Sequence, residues 1–188
     1  MRLLKVAVAC VNQTPFAWET NFAHLRMAIE HARAEGVTML CLPELALTGY
    51  GCEDAFFMDG LQDTAFTQLE ALAPLTKGMA VAVGLPVFHE KALYNAAALL
   101  VDGRIVGFAA KQFLAGDGIH YEPRWFKPWP SRKVAQGLDR LGLPKLRQFP
   151  MDAGEGLESS RELLRRLHGR DSSGGGTIRR SYAYSTFG

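Results

Sequence analysis

The chain has 188 residues, enough for one domain with a sizeable core and too few for two ordinary ones. With 48% hydrophobic and 21% charged residues, and no run near the ~20 apolar residues of a membrane span, the composition argues against disordered and membrane-spanning classes. The formal net charge of +2 singles out no partner, but residues 1–130 hold ten Lys/Arg against thirteen Asp/Glu while residues 131–188 hold eleven against six, so the chain ends basic.

The elements follow in chain order. Lys5 interrupts the apolar stretch after Arg2, and Asn12-Gln13 form no cleavage site, so residues 3–10 are expected as a buried strand rather than a signal peptide. Asn12-Gln13-Thr14-Pro15 breaks that strand. Trp18, Phe22, Leu25, Ile29 and Ala32 then recur at alternating spacings of four and three, the apolar stripe of an amphipathic helix, and Gly36 lies where a C-terminal cap is wanted. Residues 37–42 predict a second strand, stopped by Pro43. A weaker helical stripe (Phe66, Leu69, Leu72) covers residues 63–75, and residues 79–85 predict a third strand. Residues 93–101 and 105–110 flank Asp102-Gly103, a dipeptide suited to a tight hairpin. Strands alternating with helices and followed by a hairpin predict an α/β domain with a mixed sheet over residues 1–130. Beyond Trp129-Pro130 the basic residues become mostly arginine and strand periodicity disappears. Residues 131–188 are expected as an Arg/Gly-rich tail with one helical candidate at 157–167 and a flexible Ser/Gly stretch at 172–176.

The three cysteines, Cys10, Cys41 and Cys52, show neither paired nor metal-type spacing, which fits a reducing, cytoplasmic setting. Cys10 and Cys41 are expected as small buried hydrophobes on strands. His120 has no second ligand at metal spacing, so no metal site is expected. The arginine-rich tail lacks interleaved aromatics, which argues against nucleic acid.

Two polar residues stand one or two positions beyond the last apolar residue of a strand. Glu44, in Leu42-Pro43-Glu44-Leu45-Ala46-Leu47-Thr48-Gly49-Tyr50, is expected at a partly desolvated position, which would raise its pKa and suit a general base. The same pattern also fits a loop-capping glutamate or one paired with a surface lysine. Lys111, at the end of an apolar strand, could steady an oxyanion; alone, it better fits an ordinary lysine reaching solvent, and its combination with Glu44 in this order is what points to chemistry. Such folds gather active residues at the ends of adjacent strands, and these two are expected to meet there.

The ordered set of segments resembles the nitrilase, or carbon–nitrogen hydrolase, superfamily over roughly residues 4–130, most closely its glutamine-hydrolysing domains fused to NAD synthetases. Glu44 and its segment match the family base, and Gly51-Cys52-Glu53-Asp54 favours the synthetase branch. Tyr94-Asn95 before a hairpin matches the approach to the family lysine, and Lys111 heads Lys-Gln-Phe-Leu-Ala-Gly-Asp-Gly-Ile-His-Tyr-Glu-Pro-Arg-Trp-Phe. The resemblance implies an αββα sandwich, here incomplete, with Glu44 as base, Lys111 as oxyanion stabiliser and Glu122 in support. It implies glutamine as substrate and assembly into homo-oligomers, and Asp117 and Tyr121 are candidates to contact glutamine or a neighbouring subunit. It implies no cofactor for the hydrolase part; ATP and Mg would serve only a synthetase domain that this sequence does not contain. The family's nucleophilic cysteine lies beyond the lysine loop, and this sequence has no cysteine after Cys52. Cys52 sits in Cys-Glu-Asp, superficially like the nucleophile motif, but precedes the lysine and fits the loop after Glu44. The expectation is therefore little or no activity for the isolated chain. A stand-alone hydrolase of another small amide or nitrile, and a non-catalytic interaction module, remain the alternatives.

Overall fold

The computed structural model of the chain describes residues 4–118, 120–131 and 186–187. In chain order these form β1 (Val6–Val8), β2 (Cys10–Val11), α1 (Trp18–Ala34), β3 (Met39–Cys41), α2 (Leu61–Leu72), β4 (Ala80–His89), β5 (Ala92–Val101), β6 (Arg104–Ala110), α3 (Glu122–Trp125) and β7 (Thr186–Phe187). A five-stranded sheet runs β1-β3-β4-β5-β6. Its first three strands are parallel, and β5 and β6 return antiparallel, so the sheet is mixed as expected. The short strands β2 and β7 pair separately and in parallel.

The helix stripe read from the sequence faces this sheet. Leu25, Ile29 and Ala32 of α1 are buried with Leu69 and Leu72 of α2 against Leu40, Val81, Val83, Leu100 and Phe108. Removing that apolar area from water is the main force joining the layers, about 25 cal/mol per Å² buried. Gly36 takes a left-handed φ of 68° just past the end of α1, the role its position suggested. The opposite sheet face is uncovered at β1 and β3 among the described residues: Val6 and Val8 are exposed beside Met39 and Cys41, their partners in register. Cys41 is therefore not the buried hydrophobe expected, because β3 alternates and only Leu40 points to the helices. Cys10 is likewise exposed.

Two other expectations change. The first strand is broken at Ala9, whose amide bonds to Cys41 O (3.0 Å), leaving β1 and β2 separate. The third expected strand runs on through Pro86 to His89. Proline is tolerated because β3 pairs with β4 only over Ala80–Ala82, so beyond that point no ladder partner waits on that side. The helix expected at 157–167 lies outside the described residues.

Candidate active site

Glu44 and Lys111 follow the ends of β3 and β6, at the same end of the sheet, but β4 and β5 lie between those strands. Adjacent strand ends therefore do not bring them together. The segment after β3 crosses β4 instead. Its crossing point is Gly84, where a Cβ would press into Pro43 O and Leu45 N and stand 2.8 Å from Glu44 C. The missing side chain lets one backbone lie directly on the other. Leu47 N bonds to Gly84 O (3.3 Å), and the buried Asn21 of α1 donates to Leu47 O (3.2 Å) and Thr14 O (2.8 Å) while accepting from Thr14 N (3.0 Å). Leu45 is held at φ 49°, a left-handed conformation that costs a leucine about 1–3 kcal/mol, by a side chain that is only 1% exposed.

Across the strands, Lys111 Nζ donates to Glu44 Oε1 (2.7 Å) and to Glu122 Oε1 (3.0 Å). Its backbone is fixed by a bond from Lys111 N to Asn95 O (2.8 Å). Asn95, buried on β5, donates from Nδ2 to Glu44 Oε1 (2.6 Å) and Glu122 Oε1 (3.3 Å). Glu122, 1% exposed at the start of α3, also accepts from Tyr50 Oη (3.0 Å) and from Ala115 N (2.6 Å). Four donors on one carboxylate make a buried charge tenable.

The electrostatics follow this pattern. Burial pushes the Glu122 carboxyl up, but the Ala115 amide, Lys111 and Tyr50 outweigh it and hold it below the ordinary carboxylate value. Burial pulls Lys111 down, and its bonds to Glu44 and Glu122 overcome that and raise it, so it is a firm cation. Burial, then the bond to Glu122, pushes the Tyr50 phenol up to about 12, so it donates rather than ionises. Glu44 keeps 42% of its side chain exposed, contrary to the expected desolvation, because no described element covers it. Among the described residues its Oε2 and the third Lys111 N–H take no partner. A carboxylate oxygen and an ammonium proton thus stand side by side and open, a pair able to move a proton and steady a developing negative charge.

Asp117 and Tyr121 are exposed on the loop after Lys111, and among the described residues neither side chain bonds to the cluster. Cys52 is buried, its Sγ donating to Thr48 O (3.3 Å) and Gly49 O (3.4 Å), and burial pushes its thiol up, the opposite of an activated nucleophile. The sequence pattern does not mark Tyr50 and Asn95 as site residues, although each stands inside a segment that it does mark. The available signal is that a lysine shared by two carboxylates wants further donors nearby. Among the described residues no three His, Cys, Asp or Glu side chains converge as metal ligands would.

Comparison with known proteins gives the family and the fold. The glutamine-dependent NAD(+) synthetase of Arabidopsis thaliana is 34% identical over 163 residues, 84% of this chain and 21% of that protein, so the chain spans about a fifth of its length. The crystal structure of a glutamine-dependent NAD(+) synthetase from Cytophaga hutchinsonii is 41% identical with a TM-score of 0.73, covering 77% of this chain and 25% of that one. An amidase from Nesterenkonia sp., at 21% identity and a TM-score of 0.60 over 71% of this chain and 51% of that one, shares the fold. The carbon-nitrogen hydrolase family profile matches residues 5–141. With that match over more than half of its residues, on a mixed α/β sheet, the chain belongs to the carbon–nitrogen hydrolase family.

Proposed function

We propose that this chain carries the proton-transfer and charge-stabilising half of a glutamine-amide hydrolysis site, which in the longer parent protein supplies ammonia for making NAD from deamido-NAD. The observation that carries the reading is the Lys111 ammonium held between Glu44 (2.7 Å) and Glu122 (3.0 Å). In the mechanism, a cysteine thiolate attacks the glutamine side-chain amide. Glu44 Oε2 accepts the thiol proton and returns it to the departing ammonia, Lys111 steadies the tetrahedral oxyanion, and water then hydrolyses the thioester with Glu44 again as base. Glu122 takes no proton; it fixes the ammonium. Asp117 and Tyr121 remain candidates to contact the glutamine or a neighbouring subunit in a homo-oligomer. ATP and Mg serve only the synthetase portion of the parent, and the setting is cytoplasmic.

We assign the attacking thiolate to none of the three cysteines of the sequence: the buried Cys52 Sγ donates to the Thr48 and Gly49 carbonyls, burial pushes the Cys41 thiol up, and Cys10, like the other two, precedes Lys111 in the chain. A second reading, a non-catalytic module that keeps the fold and the charge cluster, needs no thiolate. An ammonia-release assay with glutamine separates the readings. The folded chain is expected to show little or no turnover, and fusion to the remaining hydrolase segment of a relative is expected to give turnover lost in Glu44→Ala and Lys111→Ala. Turnover that survives Glu44→Ala would remove the assignment of Glu44 as base. A folded fusion without turnover would favour the non-catalytic module.

A further inference from the structure

Two sequence segments that the reaction does not use meet on the surface beside the site. Asp54, in the 3-10 segment Glu53–Phe57, accepts from Arg124 Nε on Oδ1 and from Arg124 Nη2 on Oδ2, both at 2.6 Å, and its Oδ1 also accepts from Trp125 Nε1 at 2.9 Å. Beneath this contact the buried Phe56 packs on Trp125 and Phe126, with ring centroids 6.0 and 4.9 Å apart. Arg124 and Trp125 are the third and fourth residues of α3, and Glu122 is its first. An exposed ion pair contributes little to global stability. A bidentate pair reinforced by an indole N–H instead fixes orientation, here that of the single helical turn from which the Glu122 carboxylate projects.

We propose that Asp54 is a positioning residue for Glu122: by clamping Arg124 and Trp125 it sets the turn of α3 and so holds that carboxylate against the Lys111 ammonium. The clamp closes the segment after Glu44 onto the loop after Lys111, and Tyr50, four residues before Asp54, makes the same closure from the inside. Between Lys111 and α3 the ties are few: Ala115 N bonds to Glu122 Oε2, Glu122 N returns a bond to Ala115 O (3.1 Å), His120 Nδ1 stands 3.3 Å from Tyr50 Oη, and Leu114 packs on the buried Phe56 and Phe126 cluster. Beyond α3 the chain is anchored by Lys127 N to Leu93 O (2.8 Å) and Trp129 N to Lys111 O (2.9 Å). The two links from Ala115 pass through Glu122, so a turn of α3 free to rotate would loosen the stretch between Lys111 and Glu122 even with the chain beyond α3 anchored. The catalytic meaning of the clamp rests on the amide-hydrolysis reading; its geometry does not.

The test follows the Glu122 carboxyl by carbon-13 NMR against pH in the full chain. The groups that face it are Tyr50, Lys111, Asn95 and the Ala115 amide, with Glu44 behind Lys111 and His120 behind Tyr50. In the parent chain Glu122 should titrate below the ordinary carboxylate range. In Asp54→Ala its midpoint is expected to rise by about one unit, roughly tenfold in proton affinity, as its donors lose their alignment. Asp54→Glu, which keeps the charge, is expected to recover most of that shift, a rescue that simple loosening of the surface would not show. An unmoved Glu122 midpoint in a folded Asp54→Ala chain overturns the proposal. Should that variant not fold, Arg124→Gln opens the same clamp from the other side and is read in the same way. The readout needs no substrate. A moved midpoint in a protein that never hydrolyses glutamine would keep the clamp and discard the reaction, and turnover with an unmoved midpoint would do the reverse.

Discussion

At the scale of single residues, the site depends on one absent side chain and one shared carboxylate. Gly84 is where the Glu44 segment crosses β4, and Gly84→Ala would force the two backbones apart at Pro43, Glu44 and Leu45. That change is expected to cost about 1–3 kcal/mol, as overpacking does, and to lengthen the Glu44–Lys111 contact. Urea unfolding measures the first effect, and a crystal structure of the variant the second. Glu122 sets an acid limit. Its carboxyl is depressed in the folded chain, so the unfolded chain binds the proton more tightly. Stability from Glu122 is therefore fully present above the unfolded value near 4.5 and is lost as pH falls through the folded one. Glu122→Gln is expected to lower the unfolding midpoint at neutral pH and to flatten its decline below pH ~4.5. Parallel acid limbs in parent and variant would contradict this. The local logic of Glu44 and Lys111 was legible from their places after apolar strands. The roles of Asn95 and Tyr50 were not, because a donor in the middle of a strand and a tyrosine six residues after the glutamate acquire their partners only through tertiary contacts.

Among the elements, the two hairpins show what makes a turn readable. Asp102 (φ 48°) and Gly103 (φ 82°) join β5 to β6 with both central residues left-handed, and the Asp-Gly dipeptide announced it. Glu90 (φ 45°) and Lys91 (φ 64°) turn β4 into β5 in the same way, between the paired His89 and Ala92, but neither residue favours that conformation. That hairpin carried no signal, and the strand before it was expected to stop at residue 85. Replacing Glu90-Lys91 by Asn-Gly is expected to stabilise the chain by about 1 kcal/mol by relieving two left-handed side-chain residues, measurable as a higher urea midpoint. A lower midpoint would show that the interactions of Glu90, which include His89 Nε2 at 3.8 Å, outweigh the strain.

For the molecule as a whole, α1 and α2 form one helix layer on the five-stranded sheet. Val6, Val8 and Met39, at 46%, 47% and 40% exposure, leave an apolar stripe on the far face. Such a face binds apolar probes and promotes association. The isolated chain is expected to enhance the fluorescence of anilinonaphthalene sulfonate, and Val8→Lys with Met39→Lys to reduce that signal. An equal signal in the double variant would place the exposed apolar surface elsewhere.

The sequence by itself determined the alternation of strands and helices, the apolar stripe of α1, the Asp102-Gly103 hairpin and the family likeness, because these rest on periodicity and on residues with strong local preferences. It also marked Glu44 and Lys111, since a polar residue ending an apolar run stands out without knowledge of its neighbours. Tertiary structure alone decided how the two meet. They flank a pair of intervening strands, and they are joined by a crossing over Gly84, by Asn95 reaching both carboxylates, and by a loop that meets the Glu44 side through Asp54 and Arg124, 70 residues apart in sequence. Periodicity reports which face of an element is apolar; it does not report which distant backbone will pass close enough to need a glycine.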